Sequence, residues 1–87
     1  MNIWELSILK IFNVHPEGTS LKKTYQEIPH HIELTDAHYE IRWGVPEYQN
    51  QVRAHVDDLL DKKEVEKVKR GVYRITQRGK TRLHNTN

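Results

Sequence analysis

Eighty-seven residues without a cysteine allow one small domain and exclude disulfides and thiolate chemistry. Apolar residues make up 36% of the chain and charged residues 30%, the balance of a compact domain with a large charged surface. No apolar run approaches the ~20 residues of a membrane span, and the N-terminal "MNIWELSILKIF" lacks the basic start and small-residue cleavage site of a signal peptide; the expected location is cytoplasmic.

The net charge of +2 is unevenly placed. Residues 1–61 carry five Lys and Arg against ten Asp and Glu, whereas residues 62–87 carry nine against two. A basic end on an acidic body suggests an anionic partner, and nucleic acid is the commonest one. A merely solvated charged face is the competing explanation. No internal repeat or long linker divides the chain, so one domain over residues 1–83 is expected, followed by a frayed tail at 84–87.

Asn2 to Asn13 predicts a first helix. Ile8, Leu9 and Phe12 follow helical spacing, and Trp4, Ile8 and Ile11 widen the apolar stripe into a core face. His15 to Gly18, "HPEG", ends it. Thr19 or Ser20 can cap a second helix running to about Glu27, with Leu21, Tyr25 and Ile28 on its buried face and Pro29 as its stop. Leu34 to Glu40 predicts a short third helix capped by Thr35, and Ile41 to Pro46 a loop. Glu47 to about Asp61 predicts a long amphipathic helix: Tyr48, Val52, Val56, Leu59 and Leu60 share one face, and Asn50, Arg53, Ala54, Asp57 and Asp61 the other. Glu64 to Thr76 then becomes β-branched and aromatic around "KRG", a hairpin signal with Gly71 free to take a positive φ. "TQRGKTRL" closes the chain as a short helical turn capped by Thr76. The expected class is therefore mainly α with a small β-hairpin, in the winged helix-turn-helix order, the hairpin forming the wing.

The run "PEYQNQVRAHVDDLLDKKEVEKVKRGVYRITQRGKTRL" resembles the N-terminal winged-helix domain of Mrr-type, modification-dependent restriction endonucleases. The matching residues are Asn50, Val52, Leu59, Leu60, Val65, "RGVYRIT" from Arg70 to Thr76, and Gly79. The chain is also similar to the winged-helix module of Dpn-type methyladenine-directed endonucleases, and the sequence does not separate the two. The resemblance implies a domain that binds double-stranded DNA and reads a methylated base as the sensor of a restriction–modification system, with a nuclease domain or subunit as a further partner. Two departures stand out. The family usually has Gly just before the first wing strand, where this chain has Lys63-Glu64, and no nuclease core is found in these residues. A binding module rather than an enzyme is expected.

In a helix-turn-helix the start of the recognition helix reaches base edges in the major groove. Gln49, Asn50, Gln51, Arg53 and Ala54 are the candidates here, because Asn and Gln pair with adenine and Arg with guanine or phosphate. A solvated polar face is the plainer alternative. Asp57, Asp58 and Asp61 would repel phosphate, but they lie ~10 Å or more beyond the first turn, where the helix is expected to leave the groove. Lys67, Lys69 and Arg70 on the wing are candidate phosphate contacts, with Lys22 and Lys23 at the start of the second helix as weaker ones. Trp43, next to Arg42 and just ahead of the long helix, is either a core plug, the commoner fate of Trp, or a ring placed against a base. Trp4 is expected in the core. His30 and His31 are adjacent and no Cys accompanies them, so no metal and no cofactor are expected. An operator-binding regulator and a winged helix used for protein interaction remain the alternatives; the oligomeric state is open.

Overall fold

The computed structural model describes residues 2–86. Its elements are α1 (Ile3–Val14), β1 (Thr19–Ser20), α2 (Leu21–Glu27), a single 3₁₀ turn (Ile28–His30), α3 (Asp36–Tyr39), β2 (Ile41–Arg42), β3 (Val45–Pro46), α4 (Glu47–Asp61), β4 (Val65–Lys69), β5 (Val72–Ile75) and α5 (Gln77–Thr86). The chain is mainly helical with a small antiparallel sheet, as its periodicities predict. Among the described residues, no helix is long and apolar enough to cross a membrane.

Apart from α4, which follows Pro46 without a side-chain cap, the helices start where polar side chains satisfy their free amides. Asn2 accepts from the Glu5 amide, at 2.9 Å, and Ser20 accepts from the Lys23 amide, at 3.0 Å. Thr35 caps α3 with the help of His38, whose Nδ1 accepts from the Thr35 amide at 2.9 Å. Thr76 Oγ1 accepts from the Gly79 amide at 3.1 Å, the cap expected for the last helix. That helix is longer than the expected short turn: it runs through Thr86, so residues 84–86 of the supposed frayed tail are helical, while Asn87 lies outside the described residues.

One core is built from Ile8, Leu9, Ile11 and Phe12 of α1, Ile28, then Val52, Val56 and Leu59 of α4, Val65 of β4, Ile75 of β5 and Leu83 of α5. Burial of each such side chain contributes roughly 1.5–3 kcal/mol. Trp4 is only partly buried at the rim of this core, stacked on His55 with ring centroids 5.9 Å apart.

The sheet has the strand order β1–β5–β4, all antiparallel. Val65 faces Ile75 across the β4–β5 ladder, and both point into the core. Alternation sends Glu66 and Arg74 to the outer face, where they pair at 2.5 Å. The ladder slips between Lys67 and Lys69, leaving Val68 as an extra, exposed residue. Strand β1 is a departure from the expected pattern. Thr19 and Ser20 pair with Tyr73 and Val72, so Ser20 both ends a strand and caps a helix.

Two junctions bring the backbone unusually close. Helix α4 ends with the Glu64 amide bonded to the Leu59 carbonyl and the Lys63 amide bonded to the Leu60 carbonyl, each at 3.0 Å. This Schellman pattern needs a left-handed residue in the Lys63 position, and Lys63 takes φ +60°. At the second junction α5 passes so near β4 that a Cβ on Gly79 would sit 2.1 Å from the Glu64 carbonyl oxygen. Only glycine fits there.

Candidate nucleic-acid interface

The first turns of α4 hold the residues with the best chemistry for reading bases. Their side chains are less free than the sequence suggests. Asn50 Nδ2 donates to the Arg42 carbonyl at 2.9 Å and to Glu47 Oε1 at 3.1 Å. Gln51 Nε2 donates to Glu47 Oε2 at 3.1 Å. Bidentate pairing with adenine requires the carboxamide nitrogen as donor and the oxygen as acceptor. Both Asn50 donors are already used, so Asn50 is a brace that ties α4 to the segment before it. The hydrogen bonds from Gln51 and Asn50 hold the Glu47 carboxyl below the usual carboxylate range, which keeps a negative charge at the head of the helix. Gln49 is half-buried and only distantly bonded to the Tyr48 hydroxyl, at 3.5 Å, while Arg53 and Ala54 are exposed.

Arg53 and Tyr73 line a small cleft together with Leu21, Val56 and Asp57. The Tyr25 phenol belongs to the same neighbourhood. Burial pushes its pKa up, the Arg53 charge pulls it down, and Tyr73 and Tyr48 add to the rise. Arg53 thus stands beside Tyr73 and close to Tyr25, a grouping absent from the sequence-level candidates. Tyr25 reads there only as one residue of a buried stripe, and Tyr73 as one of a strand. Asp57 also departs from expectation. It does not lie clear of the positive face but shares the cleft with Arg53, one helical turn or about 6 Å further along the axis.

The remaining cations are gathered by one backbone bond. The Leu21 amide donates to the Gly71 carbonyl at 2.9 Å, which docks the turn of the β4–β5 hairpin onto the start of α2. Exposed Lys22 and Lys23 therefore neighbour exposed Lys69 and Arg70. Lys23 also pairs with Glu27 at 3.7 Å. Lys67 stands apart from this group: it faces Tyr73 across the ladder and borders Leu60 and Lys63 at the other side of the hairpin.

Residues 41–46, expected as a loop, form a second and smaller hairpin. Ile41 pairs with Pro46 and Arg42 with Val45, leaving Trp43 and Gly44 as a two-residue turn. Both turn residues have positive φ, +56° and +82°, as a type I′ turn requires. Trp43 is 93% exposed. The core-plug expectation is wrong: the side chain projects from a tip only two residues beyond the strand and has no core within reach.

A charge cluster lies on the opposite side of α4. The buried Glu5 carboxylate is paired with Lys62 at 2.9 Å and Arg82 at 3.0 Å, and Arg82 also binds Glu64. Burial by itself raises the Glu5 pKa, but the hydrogen bonds and charges of Lys62 and Arg82 outweigh it and leave the carboxyl below its ordinary value. Ligand atoms of Glu5, His55 and Asp58 fall within 4.8 Å of one another. Both cations sit on Glu5 Oε1, while Oε2 accepts from Asn2 Nδ2 at 3.1 Å and lies 4.0 Å from His55 Nδ1. The geometry is that of a structural ion-pair node.

Compared with protein-family models, with curated proteins and with solved structures, the chain returns no match.

Proposed function

We propose that the chain is a winged-helix domain that binds double-stranded DNA, with the first half of α4 as the recognition helix and β4–β5 as the wing. The observation that carries this reading is the docking of the Arg70-Gly71 turn on α2 through Leu21. It joins Lys22 and Lys23 to Lys69 and Arg70, with Arg53 reaching the adjoining cleft. These cations come from three separate stretches of sequence, and Leu21, which docks on Gly71, also lines the cleft with Arg53. Phosphate contacts of this kind supply affinity and salt dependence, and base contacts from the helix supply discrimination.

Gln49, Arg53 and Ala54 are the base-side candidates that remain free, and Asn50 and Gln51 serve mainly to hold Glu47 and Arg42 in place. Recognition of a methylated base, as a restriction sensor would perform, is the finer part of the proposal. It is supported by the resemblance of "RGVYRIT" and its flanks to Mrr-type domains.

Fluorescence anisotropy with short matched duplexes tests both levels: unmodified, adenine-methylated and cytosine-methylated, each at two salt concentrations. Binding that weakens steeply with salt, and weakens together with its salt slope in Arg53→Ala and Arg70→Ala, supports DNA binding. A preference for one methylated duplex that survives at higher salt supports modification reading. Absence of binding at low salt overturns the proposal in favour of a protein-interaction module, for which the exposed Ile41 and Trp43 would be the first candidates.

A further inference from the structure

The small hairpin β2–β3 contains a residue that the fold does not use. Trp43 is almost entirely solvent-exposed, so its indole does not stabilise the core. Nor does the turn call for it. A type I′ turn favours Asn, Asp or Gly, and a bulky side chain at φ +56° is an outlier. The largest side chain in the repertoire therefore sits, fully exposed, in a backbone conformation that disfavours it.

The tip is also fixed in direction. The Arg42 carbonyl accepts from Asn50, the Glu47 amide donates to the Glu40 carbonyl at 2.8 Å, and Tyr39 meets Tyr48 edge-on with centroids 5.7 Å apart. The first contact ties the hairpin itself to the opening turns of α4, and the other two tie the residues just ahead of it there. The backbone that carries the ring is thereby anchored beside the head of α4.

We infer that Trp43 is a stacking wedge for a nucleobase, engaging the face of a base that has lost its partner in the duplex. This rests on the DNA-binding proposal and extends it to a second kind of contact. A base is favoured over a protein pocket by the shape and charge of the tip. It is a two-residue turn that carries a single planar ring between Arg42 and Gly44. Beside it the exposed Arg42 makes no ion pair among the described residues, leaving a guanidinium for the adjacent phosphate. Stacking tolerates any base because every base offers a π-face. A base in a mismatch is the easiest to reach, since its unpairing cost is already partly met.

The experiment compares a fully paired duplex with the same duplex carrying one mismatch, using the full chain and two variants. Trp43→Asn removes the ring and suits the positive φ, so the turn survives; Trp43→Phe keeps an aromatic face. The wild-type chain should prefer the mismatched duplex. Trp43→Asn should lose about 5- to 150-fold on the mismatched duplex while binding the paired one with unchanged salt slope, and Trp43→Phe should restore most of the loss. Equal wild-type affinity for both duplexes, or a Trp43→Asn variant that binds both as the wild type does, overturns the wedge and leaves DNA binding standing. Failure of the wild-type chain to bind either duplex at low salt overturns the DNA-binding proposal and the wedge with it.

Discussion

The two hairpins of this small domain both turn on a glycine but are held by different forces. Each closes through a two-residue turn whose second residue is a glycine at positive φ, Gly44 at +82° and Gly71 at +74°. The β4–β5 hairpin is part of the core: Val65 and Ile75 are buried, β1 adds a third strand, and the turn is docked on α2. The β2–β3 hairpin has two residues per strand, exposes Ile41 to 68%, and is held by polar contacts to α4. A two-stranded ribbon has little stability of its own in water. The larger hairpin therefore gains its rigidity from hydrophobic burial and can present charges at its tip. The smaller one borrows rigidity from the head of a helix and presents a ring.

Removing equivalent isoleucines from the two hairpins breaks this comparison most sharply. Ile75→Ala empties a buried site between β5, α1 and α5 and should cost about 3 kcal/mol. Ile41→Ala removes an exposed side chain and should fall within about 0.5 kcal/mol of the wild type. Urea denaturation of the two variants measures both. A large loss from Ile41→Ala would mean that the small hairpin contributes to the core after all.

Acid should act on the ion-pair node that supports the larger hairpin. Glu5 bridges α1 to Lys62 at the end of α4 and to Arg82 of α5, and Arg82 in turn holds Glu64 at the entry to β4. Because the folded-state pKa of Glu5 is depressed below its ordinary 4.5, its stabilising contribution is fully present above that value. It is lost as pH falls through the lower, folded-state pKa. Glu5→Gln should cost about 2 kcal/mol at neutral pH, since the buried group's charge-assisted bonds to Lys62 and Arg82 become neutral ones. It should also show a flatter decline of stability in acid than the wild type. Chemical denaturation at neutral and acid pH checks the sign: a variant that declines as steeply as the wild type would remove Glu5 as a source of the acid sensitivity.

What the sequence reveals of the two hairpins follows from the same division of forces. The larger one is legible because burial writes a pattern, with β-branched residues on both sides of "KRG". So are α1 and α4, whose apolar spacing is long and regular. The smaller hairpin is hidden because Trp43 is not a residue that a type I′ turn favours, and four strand residues carry no periodicity. Strand β1 is hidden because Thr19 and Ser20 become a strand only by meeting Tyr73 and Val72, more than fifty positions away. Lys63 conceals a left-handed cap that glycine would have announced. The candidate interface is legible as a set of cations, but not as a surface, since the Leu21–Gly71 bond that gathers them joins two backbone groups. The engagement of Asn50 and Gln51 was within reach: Glu47 stands three and four residues before them, the spacing at which side chains on a helix meet.

A smaller effect falls on that bond network and bears directly on how the minor hairpin is held. Asn50→Ala removes the donor that ties α4 to the Arg42 carbonyl and frees one Glu47 oxygen. The groups lie near the surface, so water replaces the lost partner and the global cost should be only about 0.5–1 kcal/mol. The local effect should be larger than the global one. Opening of residues 41–46 no longer has to break the Asn50 bond, and backbone amides there should exchange with solvent faster while those of β4 and β5 keep their protection. Amide hydrogen exchange on wild type and variant separates the two cases. If exchange in residues 41–46 were unchanged, the backbone bond from Glu47 to Glu40 and the Tyr39–Tyr48 contact would be holding the hairpin without Asn50. The carboxamide would then be released from its role as brace, and its place on the head of α4 would again fit it for contact with a base.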